Sequence, residues 1–129
     1  KERGRQRKTE TGREVMEKYL QKYKDIDVVV SQNDDMTFGA IEAIRAAGKT
    51  TGTGGDITLI SFDGTRSALE KVKSGVINVD IECNPLQGTY IQEIINRLGD
   101  GEPVDKINYV EEKVYTQKNV LSVLGDRVY

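Results

Sequence analysis

Three short polar clusters carry the residue types that could do chemistry: Gln32-Asn33-Asp34-Asp35, Phe62-Asp63-Gly64 and Glu82-Cys83-Asn84. Carboxylates and side-chain amides form paired hydrogen bonds, which suits the vicinal hydroxyls of a sugar. Each charge-assisted bond contributes ~1.5–3 kcal/mol and imposes orientation. Phe62 offers a flat apolar surface for the C–H face of a ring, or equally a core side chain. A hard cation would also accept these oxygens, but the EF-hand spacing is absent and Mg²⁺ usually needs a phosphate substrate. Two of the carboxylates acting as acid and base would serve glycoside hydrolysis. Each cluster also has a local use: Asp34 or Asp35 as a helix cap, Asn84 as another, and Asp63 before Gly64 as a turn residue. Composition and spacing leave binding and hydrolysis both open.

Other chemistry is excluded by composition. The 129 residues contain no His and one cysteine, Cys83. Zinc sites built from Cys and His, Cys–His or Ser–His nucleophile pairs and an intrachain disulfide are therefore ruled out. No apolar run approaches the ~18 residues of a membrane span. Lys1 to Arg13 is polar throughout, so any targeting segment is expected to lie outside these residues. Residues 1–13 carry Lys1, Arg3, Arg5, Arg7, Lys8 and Arg13 against Glu2 and Glu10, in a chain of net charge −2. No aromatic residues interleave with these basic ones, so a solvated segment is expected and no nucleic-acid partner.

The clusters need elements to position them, and helical and strand-like patterns alternate along the chain. Thr11-Gly12-Arg13-Glu14 has capping-box spacing, followed by a helical stripe of Val15, Met16, Tyr19, Leu20 and Tyr23. Residues 26–30 read as a buried β-branched strand. Met36, Ala40, Ile41, Ile44 and Ala47 form a second helical stripe ending at Gly48. The glycine-rich stretch 48–55 follows a helix and precedes a strand, the reverse of a phosphate cradle, and reads as a loop. A strand at 57–61, a helix using Ala68, Leu69 and Val72, and a strand at 77–82 come next. In that strand Ile77, Val79 and Ile81 alternate with Asn78, Asp80 and Glu82, which predicts one apolar and one polar face. Asn84-Pro85-Leu86-Gln87 is expected to start a helix with the stripe Leu86, Tyr90, Ile91, Ile94, Ile95 and Leu98. Residues 107–115 read as extended, and the tail after Gln117 carries no signal. Strands alternating with helices predict an α/β fold with a parallel sheet. Ligands of such sheets bind outside the carboxyl ends of the strands, where all three clusters fall.

Val29-Val30-Ser31-Gln32-Asn33-Asp34-Asp35-Met36, Gly39-Ala40-Ile41-Glu42-Ala43-Ile44, Ser61-Phe62-Asp63-Gly64-Thr65 and Val79-Asp80-Ile81-Glu82 with Pro85 and Gly88 resemble the sugar-binding proteins of bacterial ABC importers. These have the type I periplasmic-binding-protein fold, as in ribose- and galactofuranose-binding proteins, and the likeness runs from about Gly12 to about Val120. The resemblance implies a Rossmann-like three-layer lobe, here a C-terminal part only. It implies a monosaccharide held between two lobes by Asn33, Asp63 and Glu82, with Asp34 and Phe62 adjoining. Ribose binders have glutamine where this chain has Glu82. Residues 12–82 and 104–129 would form the incomplete lobe, 83–103 the hinge and a helix crossing to the other lobe, and 1–11 a basic start without expected order. The resemblance further implies no catalysis, no cofactor and no metal, and an ABC permease as partner. It places the protein in the periplasm or outside the cell, membrane-anchored as a lipoprotein. The uncovered stripe of helix 85–98 (Leu86, Tyr90, Ile94) leads to an expectation of self-association. Alternative readings are the effector domain of a LacI-type repressor, which shares the fold, and a two-component receiver domain with Asp63 as phosphoacceptor.

Overall fold

The computed structural model describes residues 2–129. The elements follow the predicted alternation: α1 (Glu2–Lys22), β1 (Val28–Val30), α2 (Asp34–Ala46), β2 (Thr58–Asp63), α3 (Arg66–Lys73), β3 (Val79–Glu82), α4 (Gly88–Gly99), β4 (Val114–Tyr115) and α5 (Leu121–Leu124). The sheet has the order β1-β2-β3-β4, its first three strands parallel and β4 antiparallel to β3. Two caps set the helices that follow the strands. Asn33 Oδ1 accepts from Met36 N at 2.9 Å to start α2, and the Thr65 hydroxyl accepts from Ala68 N to start α3.

One face of the sheet is the core. Ile41 of α2 and Ala68, Leu69 and Val72 of α3 pack with Leu59, Ile77, Tyr115 and Val120. A second cluster joins Met16 of α1 to Ala40, Ala43 and Ile44 of α2 and to Ile57. Helix α1 packs against α2, and its Met16 and Tyr19 also line a groove with Val29 and Val30 of β1. On the opposite face Val28, Val30 and Val114 are exposed, and Ile60, Phe62, Val79 and Ile81 only half-buried. Of the three layers implied by the resemblance, the described residues supply two.

Five expectations about the elements are corrected. Helix α1 starts at Glu2, not at the Thr11 capping box; the Thr11 hydroxyl instead donates to Arg7 O at 2.9 Å inside the helix. The stretch before it is rich in Arg, Gln, Lys and Glu, all good helix formers, and residues 2–10 form the first turns of the helix. Lys1 lies outside the described residues. The α1 stripe buries Met16, half-buries Leu20 and leaves Val15, Tyr19 and Tyr23 exposed. Val28 and Val30 of β1 point to the uncovered face of the sheet and are exposed, while Val29 packs inward. Asn84 does not cap a helix beginning at Pro85. Its Oδ1 accepts from Leu86 N at 2.8 Å in a local turn, and α4 begins at Gly88 with no buried residue. The 107–115 segment is a strand only at Val114–Tyr115, because only there does it pair with β3. Among the described residues no helix is long and apolar enough to cross a membrane.

Candidate functional site

The carboxyl ends of β1, β2 and β3 are tied together. Ser31 N donates to Ile60 O at 2.9 Å, and Cys83 N donates to Asp63 O at 3.1 Å. The three polar clusters therefore share one edge of the sheet, as the strand pattern predicts. What each side chain does there differs.

Asn33 spends its amide oxygen on the α2 cap, while its amide nitrogen has no hydrogen-bond partner among the described residues. Asp63 ends β2 with φ 116°, a left-handed-side conformation that a non-glycine residue rarely adopts. Such strain persists only where the surroundings over-determine it, and it concentrates at ligand sites. Its carboxyl is half-buried and raised above the usual carboxylate range, mainly by burial. The main-chain N–H of Asp34 and the Lys8 ammonium pull the other way, and Asp35 adds repulsion. Asn33 and Asp63 thus stand at the carboxyl ends of neighbouring strands, each with hydrogen-bonding capacity left over among the described residues.

Asp34 is not open. It is buried, its Oδ1 accepting from the Ser61 hydroxyl at 2.5 Å and its Oδ2 from Thr65 N at 2.9 Å and Thr65 Oγ1 at 2.7 Å. Its pKa is raised by burial. Thr37 Oγ1 closes the network on Ser61 at 2.7 Å. An internal carboxylate so engaged braces the Asp63-Gly64-Thr65 loop, and it cannot serve as the exposed acidic pair a receiver domain would need.

Glu82 is engaged as well. Its Oε1 accepts from Arg127 Nη1 at 2.6 Å and Tyr129 Oη at 2.8 Å, its Oε2 from Lys113 N at 3.1 Å and Tyr115 Oη at 3.0 Å. With all four acceptor directions filled, the carboxylate joins the end of β3 to Lys113, β4 and the tail. Phe62 alternates to the opposite face, in register with Ile81, and is half-buried there. Beside the Glu82 knot is a cleft of about 350 Å³ lined by Asn84, Tyr90, Lys113 and Arg127 among others; neither Asn33 nor Asp63 lines it.

Several residues of this region escape a sequence reading. Asp80, two positions before Glu82, is fully buried and accepts from Gly64 N at 3.2 Å through Oδ1. Burial and the neighbouring Asp34 carboxylate push its pKa up to about 8. In sequence it reads as part of a solvent-facing stripe. Arg127 and Tyr129 lie in the segment without signal, and no local spacing links them to Glu82. The Cys83 thiol, exposed, is shifted upward by desolvation and by the Glu112 and Asp63 charges, which keeps it a poor nucleophile. Among the described residues no group of His, Cys, Asp and Glu is arranged to hold a metal ion.

The chain is similar to known proteins over most of its length. Residues 2–103 match the family described as periplasmic binding protein domain. The ribose import binding protein of Bacillus subtilis (strain 168) is 36% identical over 108 residues, covering 83% of this chain and 33% of the relative. The fructose import binding protein of Bifidobacterium longum is 32% identical over 120 residues, 92% of this chain and 36% of the relative. A crystal structure from Mycobacterium smegmatis in complex with β-D-fucofuranose superposes with a TM-score of 0.79 at 36% identity, covering 92% of this chain and 38% of the other. The chain spans about a third of the length of the curated relatives it matches. With its α/β architecture, its strand-end site and a match over most of its length, the chain belongs to the periplasmic binding protein domain family.

Proposed function

We propose that this chain supplies one side of a monosaccharide site in the substrate-binding component of a carbohydrate ABC importer. The observation that carries the reading is the placement, at the carboxyl ends of neighbouring parallel strands, of a strained Asp63 and an Asn33 whose amide nitrogen has no partner among the described residues. The relatives named above are import binding proteins for ribose and fructose, and the fucofuranose complex extends the range to a furanose. In this reading Asp63 accepts from two sugar hydroxyls and Asn33 donates to a third oxygen. Glu82 serves the site from behind by fixing where β3 hands over to the crossing segment, and Phe62 and Asp34 support it without contacting the sugar. The chain binds and does not catalyse. Its partners are the sugar and an ABC permease, its compartment is the periplasm or cell exterior, and its parent is membrane-anchored as a lipoprotein.

Binding can be read from amide shifts of the isotopically labelled chain titrated with pentoses and hexoses in pyranose and furanose forms. One sugar is expected to move the Asn33, Asp63 and Gly64 amides, with affinity weaker than micromolar because a facing lobe contributes no bonds. Asp63→Asn and Asn33→Ala should each weaken it by about tenfold or more, one charge-assisted or buried hydrogen bond's worth. Amides unmoved by every sugar, or affinities indifferent to both substitutions, would remove the reading. A further expectation comes from α4, where Tyr90, Ile91, Ile95 and Leu98 are exposed and nothing is buried. We infer that the chain self-associates through this face. Light scattering should show a mass that rises with concentration and falls back in an Ile91→Asp variant; a constant monomer mass counts against it.

A further inference from the structure

Asp80 is a fully buried acid in mid-sheet with no cation against it among the described residues. Its Oδ1 accepts from Gly64 N at 3.2 Å, and its Oδ2 has no partner among the described residues. The charged groups that face it are themselves acids: Asp34 from the start of α2 and Asp63 from the end of β2. Across the sheet its register partner on β4 is Tyr115, whose hydroxyl turns to Glu82 Oε2 at 3.0 Å. Arg127 compensates Glu82, while Lys8 faces Asp63. Asp34 and Asp80 grip one loop from two sides, Asp34 holding Thr65 by its amide and hydroxyl and Asp80 holding the Gly64 amide. That loop carries Asp63 in its strained conformation.

We propose that Asp80 is a positioning residue that works as a neutral carboxylic acid: with the Asp34 carboxylate it locks the Asp63-Gly64-Thr65 loop in its ligand-facing form, and losing its proton unlocks the loop. Two buried carboxylates this close cannot both be charged at little cost, and a protonated Oδ2 removes one of the two charges. Desolvation first, and the Asp34 charge second, raise the Asp80 pKa from 3.8 to about 8. The lock is therefore closed at neutral pH and opens in mild alkali. An acid whose pKa rises on folding stabilises the fold fully below its unfolded value and loses that contribution as pH climbs through the folded one. For Asp80 the window runs from 3.8 to about 8. As a device of sugar affinity, the lock rests on the binding function proposed above; as a loop restraint it stands on the geometry alone.

The test follows the Asp80 carboxyl carbon and the Gly64 amide by NMR across pH 4 to 10 in the chain itself. Thermal melts and sugar titrations are run in parallel on the parent sequence and on Asp80→Asn. Asparagine copies the protonated acid, so it keeps the Gly64 bond and discards the titration. The expected results are an Asp80 transition near pH 8 shared by the Gly64 amide, and a melting temperature that falls relative to Asp80→Asn from pH 4 to 8 and then levels. Sugar affinity should drop by about tenfold or more between pH 6.5 and 9.5 in the parent sequence and stay nearly flat in the variant. A role in packing alone would instead weaken the variant equally at every pH. An Asp80 transition near 4, a Gly64 amide that ignores it, or a variant with the parent pH profile overturns the proposal. Sugar binding with a normal Asp80 titration leaves the binding function standing and removes the lock. No binding of any sugar, with the shared transition near 8, removes the binding function and supports the lock as a loop restraint.

Discussion

Replacing Arg127 by methionine is expected to destabilise the chain by about 3–5 kcal/mol, the usual cost of stranding one partner of a buried ion pair. Arg127 and Glu82 are 7% exposed each and meet at 2.6 Å. The guanidinium also donates to Tyr115 Oη at 2.7 Å and stacks over the Tyr115 and Tyr129 rings. Methionine keeps much of the volume and removes the charge, leaving the Glu82 carboxylate with only the two tyrosine hydroxyls and Lys113 N. The cost therefore comes from the uncompensated acid, and a second substitution reveals this. Glu82→Gln in the Arg127→Met background should recover most of the loss, and the four chains form a double-mutant cycle whose coupling is at least as large as that recovery. Urea denaturation at neutral pH supplies all four stabilities. If Arg127→Met costs less than about 1 kcal/mol, the pair is no more than a surface bridge.

Gly39→Ala should be nearly as damaging, against the direction that helix propensity predicts. In an exposed helix alanine outranks glycine by about 1 kcal/mol. At Gly39 an added Cβ would stand 1.9 Å from Thr9 O, and at Gly12, on the facing helix, 2.3 Å from Met36 O. Both obstacles are backbone, so no side chain can swing aside, and α1 must lift off α2. Overpacking of this kind costs about 1–3 kcal/mol and occasionally more, which outweighs the propensity gain. The loss should fall on α1 first, because Met16, its one fully buried hydrophobic side chain, is seated by this crossing. Gly4→Ala is the control: the same helix, with nothing within 4 Å of the added carbon. It should be neutral or slightly stabilising. Melting temperatures and hydrogen exchange of α1 amides compare the two, and equal behaviour would show that the helices do not need the close approach.

The structure separates two kinds of legibility in this chain. The strand-end placement of Asn33 and Asp63 was legible because it is a local property: a β-branched run, then polar residues, then a helix stripe. The same spacing marked Glu82, Asp34 and Phe62, yet it carries no information about what else reaches them. Glu82 is satisfied by Arg127, 45 residues away, and Asp34 by Thr65, 31 residues away. The basic start is a similar case: its charges are solvated, residues 3–8 being exposed, yet helix propensity carries α1 through them to Thr9, which meets Gly39 of α2.

Strand β3 shows where the division lies. Alternation of Ile77, Val79 and Ile81 with Asn78, Asp80 and Glu82 established by itself that this is a strand with two unlike faces, and the order of such segments established the α/β class. Which face is inside was decided by the tertiary structure: Ile77 is buried as hydropathy predicts, but from Val79 onward the order reverses. Asp80 and Glu82 are buried while Val79 and Ile81 are only half-covered. Periodicity is set by backbone geometry within a few residues, so it survives in the sequence. The cost of burying a carboxylate depends on the donors that distant segments bring to it, here the Gly64 amide for Asp80 and Arg127 with two tyrosines for Glu82, and those exist only once the chain has folded.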